Sequence, residues 1–256
     1  MSFWRFVSLL DMKSRMALKA EASKLYLSYL WWALEPLLWV LVFYFVFTVL
    51  LNSGRDVSFL ICGKVPFLWF SKSVISASNS IMGSRSLLFQ TNMSKLFFPY
   101  QALQEVLYKQ WLVFLVLFAT VMVYGHYPSV DWLWLVPLIL VQYLLIVLCA
   151  LVGALLVSYA QDVRILINMG MMFLLFSSGI FWDIDEIGSP EMAQLVRLYN
   201  PLAFLIDAYR SVLIDNGDYD LLHLTVLGLV LLTAIALMHG LYRWKSQAIA
   251  YRVINS

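Results

Sequence analysis

ILINMGMMFLLFSSGIFW, residues Ile165–Trp182, runs without a break into DIDEIGSPEMAQLVRLYNPLAFLIDAYR, residues Asp183–Arg210, and this stretch decides the fold. Its first half is apolar enough and long enough to cross a bilayer, which takes about 20 apolar residues. Its second half is neither another span nor an ordinary loop. Ser189-Pro190-Glu191 reads as a helix start: Ser at the N-cap, Pro at the first helical position, an acid near the positive dipole end. Asn200-Pro201 repeats that signal ten residues later, and Asn216-Gly217 closes the segment. Two short helices are predicted back to back, Glu191–Leu198 and Leu202–Leu213, each with an apolar face and neither long enough to cross. A broken helical pair at membrane depth is tolerated only where protein buries it or it lines a watery cavity. The pair therefore reads either as two helices lying on the lipid surface or, more sharply, as a re-entrant gate at the mouth of a pore.

The rest of the chain supplies the spans. Of 256 residues, 62% are hydrophobic and 12% charged, and the mean hydropathy is +0.83. That composition excludes a soluble globular protein and predicts an all-α integral membrane protein, a single domain over residues 1–256. Asp11–Tyr29 reads as a basic amphipathic helix in the headgroup plane, with Leu18, Ala22 and Leu25 as its apolar strip. Glu35-Pro36 then interrupts SYLWWALEP, and Leu37–Leu51 enters the membrane. Val57–Ala77 is a poor second span, interrupted by Gly63, Lys64, Pro66 and Lys72, that needs protein around it. Val106–Tyr124, Trp132–Tyr159, Ile165–Trp182 and Leu221–Tyr242 complete a set of six predicted transmembrane helices, with Gly83–Gln104 a cytoplasmic segment.

Charge placement orients them. With both termini cytoplasmic, the inner segments hold Arg5, Lys13, Arg15, Lys19, Lys24, Arg85, Lys95, Lys109, Arg164, Arg243, Lys245 and Arg252, against Arg55, Lys64, Arg197 and Arg210 outside. This satisfies the positive-inside rule. No cleavable signal peptide is indicated. The net charge of +2 comes with no basic block, so nucleic acid is not an expected partner.

Chemistry is nearly absent. There is no GxxxxGK[ST], HExxH or GxSxG, so the chain is not expected to hydrolyse nucleotide, and no catalytic residue or metal is predicted. Cys62 and Cys149 lie in separate apolar segments, and His126, His223 and His239 are scattered. Three constellations remain. Lys72 sits inside a span, where an ionisable group is costly and functional unless it snorkels or pairs within the fold. Trp32, Trp39, Phe43 and Phe47 recur at helical spacing in the first span, and Phe173, Phe176, Phe181 and Trp182 stand near the outer end of the fifth. Flat aromatic faces suit sugar rings, but equally lipid contact and helix packing. Finally, GSRSLLFQTNMSKLFFP, Gly83–Pro99, has apolar residues among Arg85, Asn92 and Lys95; it reads as a short helix docking in a partner's groove or as a plain interfacial loop.

Together these segments resemble a family. SYLWWALEP after a basic helix, DVSFLICGKVPFLWFSKSVISASNSI, YAQDVRILIN, SSGIFW, YNPLAFLIDAYRSVL and LYRWKSQAIAYR are similar, in order and spacing, to type-2 ABC exporter permeases. The similarity covers essentially the whole chain and is closest to permeases that export lipid-linked O-antigen or capsular polysaccharide. One departure is Gly179, where the family often has Pro. The resemblance implies a homodimer in the bacterial inner membrane, each copy paired with a cytoplasmic ATPase subunit that holds ATP and Mg, with no cofactor in this chain. It implies a polymer path lined by the two aromatic sets. Coupling to the ATPase would run through Arg85, Leu88, Phe89, Lys95 and Phe98, and an outer gate would be built on Pro190, Asn200, Pro201, Asp207 and Arg210. Two alternatives stay open: a membrane-embedded enzyme acting on lipid-linked glycan through Lys72, Asp162 or the outer acids, and an exporter of a small amphiphile.

Overall fold

The computed structural model describes residues 3–23, 30–50, 56–90 and 93–255. Among them every regular element is helical. Five helical stretches are long and apolar enough to cross a membrane: Leu30–Phe47, Val57–Gly83, Phe97–Val123, Val130–Tyr159 and Leu221–Ile249.

Helix α1, Phe3–Ala22, lies against α5, Phe97–Val123. It starts earlier than the sequence suggests, and Leu18 and Ala22 are buried as the predicted strip requires; Lys24 and Leu25 lie outside the described residues. Polar contacts fix its register on α5. Tyr108 donates to Asp11, Ser14 Oγ donates to the Gln101 carbonyl at 3.4 Å, and Lys109 pairs with Glu21 at 2.5 Å.

Helix α2 spans Leu30–Phe43 and passes straight through Pro36 before loosening into a π-helical stretch, Tyr44–Leu50. The predicted break at Pro36 is thus corrected: the helix continues through the proline, which removes one backbone donor without ending an apolar helix of this length. Almost none of α2 is buried by the rest of the chain.

Helix α3, Val57–Gly83, is the centre, with 78% of its apolar window buried. It packs on α5, on α6 (Leu135–Tyr159, preceded by a 3-10 turn at Val130–Trp134) and on α9 (Pro201–Leu213). This is why Lys64, Pro66 and several serines can interrupt it: its surroundings are side chains, not lipid. Trp69 anchors the packing, edge-on to Phe114 at 5.6 Å and stacked on Tyr143 at 6.2 Å. Between helices already in a bilayer such close packing, rather than escape from water, holds the bundle together. A six-residue helix α4, Arg85–Gln90, and a turn join α3 to α5.

Helix α7 runs Val163–Ser177, and here the structure departs from the predicted fifth span. Fifteen residues rise about 22 Å, short of the roughly 30 Å apolar core. The helix stops because Gly179 adopts φ +72°, the left-handed conformation that ends helices and that glycine takes without strain. The chain then folds back, and Trp182 Nε1 donates to the Phe176 carbonyl at 2.7 Å. Helices α8, Pro190–Tyr199, and α9 follow, and α10, Leu221–Asn255, completes the chain.

Candidate functional site

The two short helices are positioned by the residues that announced them. Ser189 Oγ accepts from the Met192 amide, and Asn200 Oδ1 accepts from Leu202 and Ala203, with Pro190 and Pro201 each in the first turn. Asn200 does more than cap. Its Nδ2 donates to the Ser177 carbonyl at 3.3 Å and to Ser178 Oγ at 3.2 Å, tying the start of α9 to the end of α7. The pair is not symmetric. On α8 only Ala193 is buried, whereas most of α9 is enclosed, from Leu202 to Leu213.

Arg210 is the strongest tie. It is 4% exposed, its guanidinium lies 3.5 Å from the Phe59 ring, and it donates to the Phe59 carbonyl at 3.2 Å and the Ile180 carbonyl at 2.9 Å. One side chain therefore joins α9, α3 and the turn after α7. Gly63 makes room for it: a Cβ there would lie 2.8 Å from the guanidinium. Deeper in, Tyr209 donates to Gln142 Oε1 at 2.5 Å, and Gln142 Nε2 donates to the Pro66 carbonyl at 2.9 Å. Toward the surface, Arg197 bridges Asp185 at 2.7 Å and Asp207 at 2.8 Å. Asp183, Asp185 and Asp207 bring one oxygen each within 4.8 Å of one another, with the Arg197 charge set among them.

The aromatic residues separate into distinct groups. Phe47 from the π stretch stacks on Phe181 at 6.0 Å, and Phe181 meets Phe176 at 5.6 Å, so the ends of the first and fifth predicted spans converge. Phe173 and Phe176 are exposed along α7. Trp39 lies under Lys64 Nζ at 4.3 Å, and Trp32 lies near Lys109 Nζ at 5.3 Å. The Phe43 side chain lies outside the described residues.

Lys72 is paired. Its ammonium is 2.6 Å from Glu35, joining α3 to α2 across a cavity of about 520 Å³ that Trp31, Trp32, Lys109 and Gln110 also line. In the segment after α3, Lys95 and Phe98 are buried, Phe98 among the aromatic residues that start α5, while the side chains of Leu88 and Phe89 lie outside the described residues. Phe98 thus packs the bundle rather than presenting a surface. Sequence reasoning passed over Gln142, Tyr209 and the anchoring part played by Lys64; a polar residue amid an unbroken apolar run was the available signal for Gln142.

Comparison with known proteins bears on this arrangement as a whole. Residues 19–214 match the family model described as ABC-2 type transporter. The chain is 26% identical over 228 residues to an O-antigen export system permease protein RfbA of Klebsiella pneumoniae, covering 86% of each chain. It is 24% identical over 223 residues to a protein of the same name from Myxococcus xanthus, covering 85% of each. Five apolar helices and this family match make it a multi-pass protein of the bacterial inner membrane. The chain belongs to the ABC-2 type transporter family, as a transport subunit whose ATPase activity resides on a separate partner.

Proposed function

We propose that this chain is the permease that moves lipid-linked O-antigen or capsular polysaccharide from the cytoplasm to the outer face of the inner membrane. It does so as a homodimer, one permease domain per chain, with two cytoplasmic ATPase subunits. The names of the relatives support the cargo. Both termini are cytoplasmic, and α7 together with the turn to Trp182 completes a sixth membrane passage. A neutral hydrated polymer needs a path with stacking faces and few fixed charges, so that it is held without being trapped.

The observation that carries this reading is the convergence of Phe47, Phe181 and Phe176, in the stretch of chain that leads into helices α8 and α9. In the dimer these rings and Phe173, Trp182, Trp32, Trp39 and Phe43 line the path. The α8–α9 pair, hinged on Pro190, Asn200 and Pro201 and braced by Asp207 and Arg210, forms the re-entrant outer gate. The Arg85–Phe98 segment and α1 receive the ATPase stroke, with Arg85, Leu88 and Phe89 at the contact and Lys95 and Phe98 behind it. The decisive experiment measures surface polysaccharide in cells whose own permease gene is replaced by the Trp39→Ala/Phe43→Ala or Phe47→Ala/Phe181→Ala variant. Export falling at least tenfold with normal permease levels supports the aromatic path. Export at the level of the unmodified protein in both variants overturns it.

A further inference from the structure

On the basic side of the molecule α10 runs past the turn that precedes α5 and leaves a cavity of about 280 Å³. Ser94, Lys95, Arg243 and Ser246 line it, and among the described residues no carboxylate does. Lys95 is only 7% exposed, and its ammonium donates to the Met93 carbonyl at 3.2 Å. An ammonium carries three donors. Among the described residues no acid pairs with it or with Arg243, and burial alone holds the Lys95 ammonium below its ordinary range. A buried cation without a counter-ion is costly, so the unfilled partner at this place is an anion.

Depth identifies the anion. Counting along α10 from Leu221, the roughly 20 residues that cross the apolar core end at about residue 240. Tyr242, Arg243 and Ser246 therefore occupy the first turn beyond it, at the level of lipid phosphates. Trp244 beside them is 77% exposed with Lys245 over its ring at 4.4 Å, the pairing of an interfacial aromatic with a cation that marks a headgroup layer. Basic pockets between helices at this depth hold anionic headgroups. The Tyr242 hydroxyl is already committed to the Leu151 carbonyl, so it forms the wall and not a ligand.

We infer that the cavity formed by Ser94, Lys95, Arg243 and Ser246 is a binding site for the phosphate of an anionic phospholipid. The lipid supplies the counter-charge that the described residues do not and bolts the cytoplasmic end of α10 to the turn before α5. The inference is independent of the exported cargo.

The test uses the full chain purified with its ATPase partner, delipidated in neutral detergent and read by native mass spectrometry. Phosphatidylglycerol, phosphatidylethanolamine and inorganic phosphate are the three probes. Phosphatidylglycerol is expected to bind about tenfold more tightly than phosphatidylethanolamine. Arg243→Gln should weaken it about fivefold and Lys95→Gln/Arg243→Gln about 25-fold, the weight of one and two interfacial cations. Lys245→Gln, outside the cavity, should stay within about twofold. Ser246→Glu, which fills the cavity with an internal carboxylate, should remove binding while leaving the bundle intact, and so keeps the test valid if the double variant fails to fold. Equal binding of both lipids, unchanged by Arg243→Gln and Ser246→Glu, overturns the inference. So does inorganic phosphate competing as well as lipid, which would make this a soluble-anion site. Loss of the ATPase partner with lipid binding intact also overturns it, because the cavity would then seat an acidic side chain of that partner.

Discussion

Arg210 and Asn200 show how much one side chain can hold in a segment whose own helices are short. Arg210 makes two charge-assisted bonds to carbonyls in different elements. Arg210→Leu is expected to cost about 2–4 kcal/mol, read as a drop in the thermal unfolding midpoint of the purified chain. Gly63→Ala should reproduce part of that loss without touching the arginine, since the new methyl displaces the guanidinium. If Gly63→Ala is as stable as the parent, Arg210 is not held by the close approach described. Asn200→Ala removes both the α9 cap and the tether to α7, and about 1 kcal/mol is expected from the cap alone. Asn200→Asp keeps the acceptor but not the Nδ2 donor, so it should recover the cap and not the tether, separating the two contributions by thermal shift.

At the scale of elements, α2 is attached with little burial, while α1 adds polar contacts to the packing of Phe6, Leu18 and Ala22. The Lys72–Glu35 pair crosses from α3 to α2, but both side chains are more than a third exposed, so its worth is discounted to about 0.5–1 kcal/mol. A double-mutant cycle with Lys72→Gln and Glu35→Gln is expected to give a coupling of that size, and coupling near zero would show that α2 is placed by packing alone. Helix α1 responds to acid. The hydrogen bond from Tyr108 is the largest influence holding the Asp11 carboxyl below its ordinary 3.8, with Arg15 adding to it. A lowered carboxyl pKa contributes stability that is present above the unfolded value and lost as pH falls through the folded one. Docking of α1 should therefore be constant from neutral pH to about 4 and weaken below it. Tyr108→Phe removes the main cause of the lowered carboxyl and should flatten the acid dependence of α1 docking, followed by protease access or hydrogen exchange.

For the whole molecule, the distribution of burial sets what a lone chain can and cannot satisfy. Helix α3 is enclosed while α2 and the face of α7 carrying Met169, Phe173 and Phe176 are exposed. In lipid such faces are acceptable, yet the aromatic residues of the proposed path are on them. A second copy that covers them is expected to bring α2 of one chain against α7 of the other. Single cysteines at Leu41 and at Phe173, in a background lacking Cys62 and Cys149, should then cross-link between chains. Cross-linking only within a chain, or none, would contradict the homodimer. The purified chain alone should show no ATP hydrolysis, since that activity resides on the partner.

Membrane residence, the near-complete list of apolar helices and the two short helices after α7 were determined by the sequence alone. They depend on local features: run length, hydropathy, and the Ser189-Pro190 and Asn200-Pro201 start signals, which the structure places at the helix starts. The arrested fifth helix was not legible, because a glycine after two serines is compatible with a kinked span, and only the docking of Asn200 and Arg210 onto residues 177–180 fixes the positive φ at Gly179. Nor was the fate of the charges in the second span. Whether Lys72 pairs, and whether Lys95 and Phe98 face a partner or the core, depends on which helices become neighbours. Hydropathy sums along one chain carry no term for that; only the three-dimensional packing of α1, α2, α5 and α10 around α3 and α6 decides it.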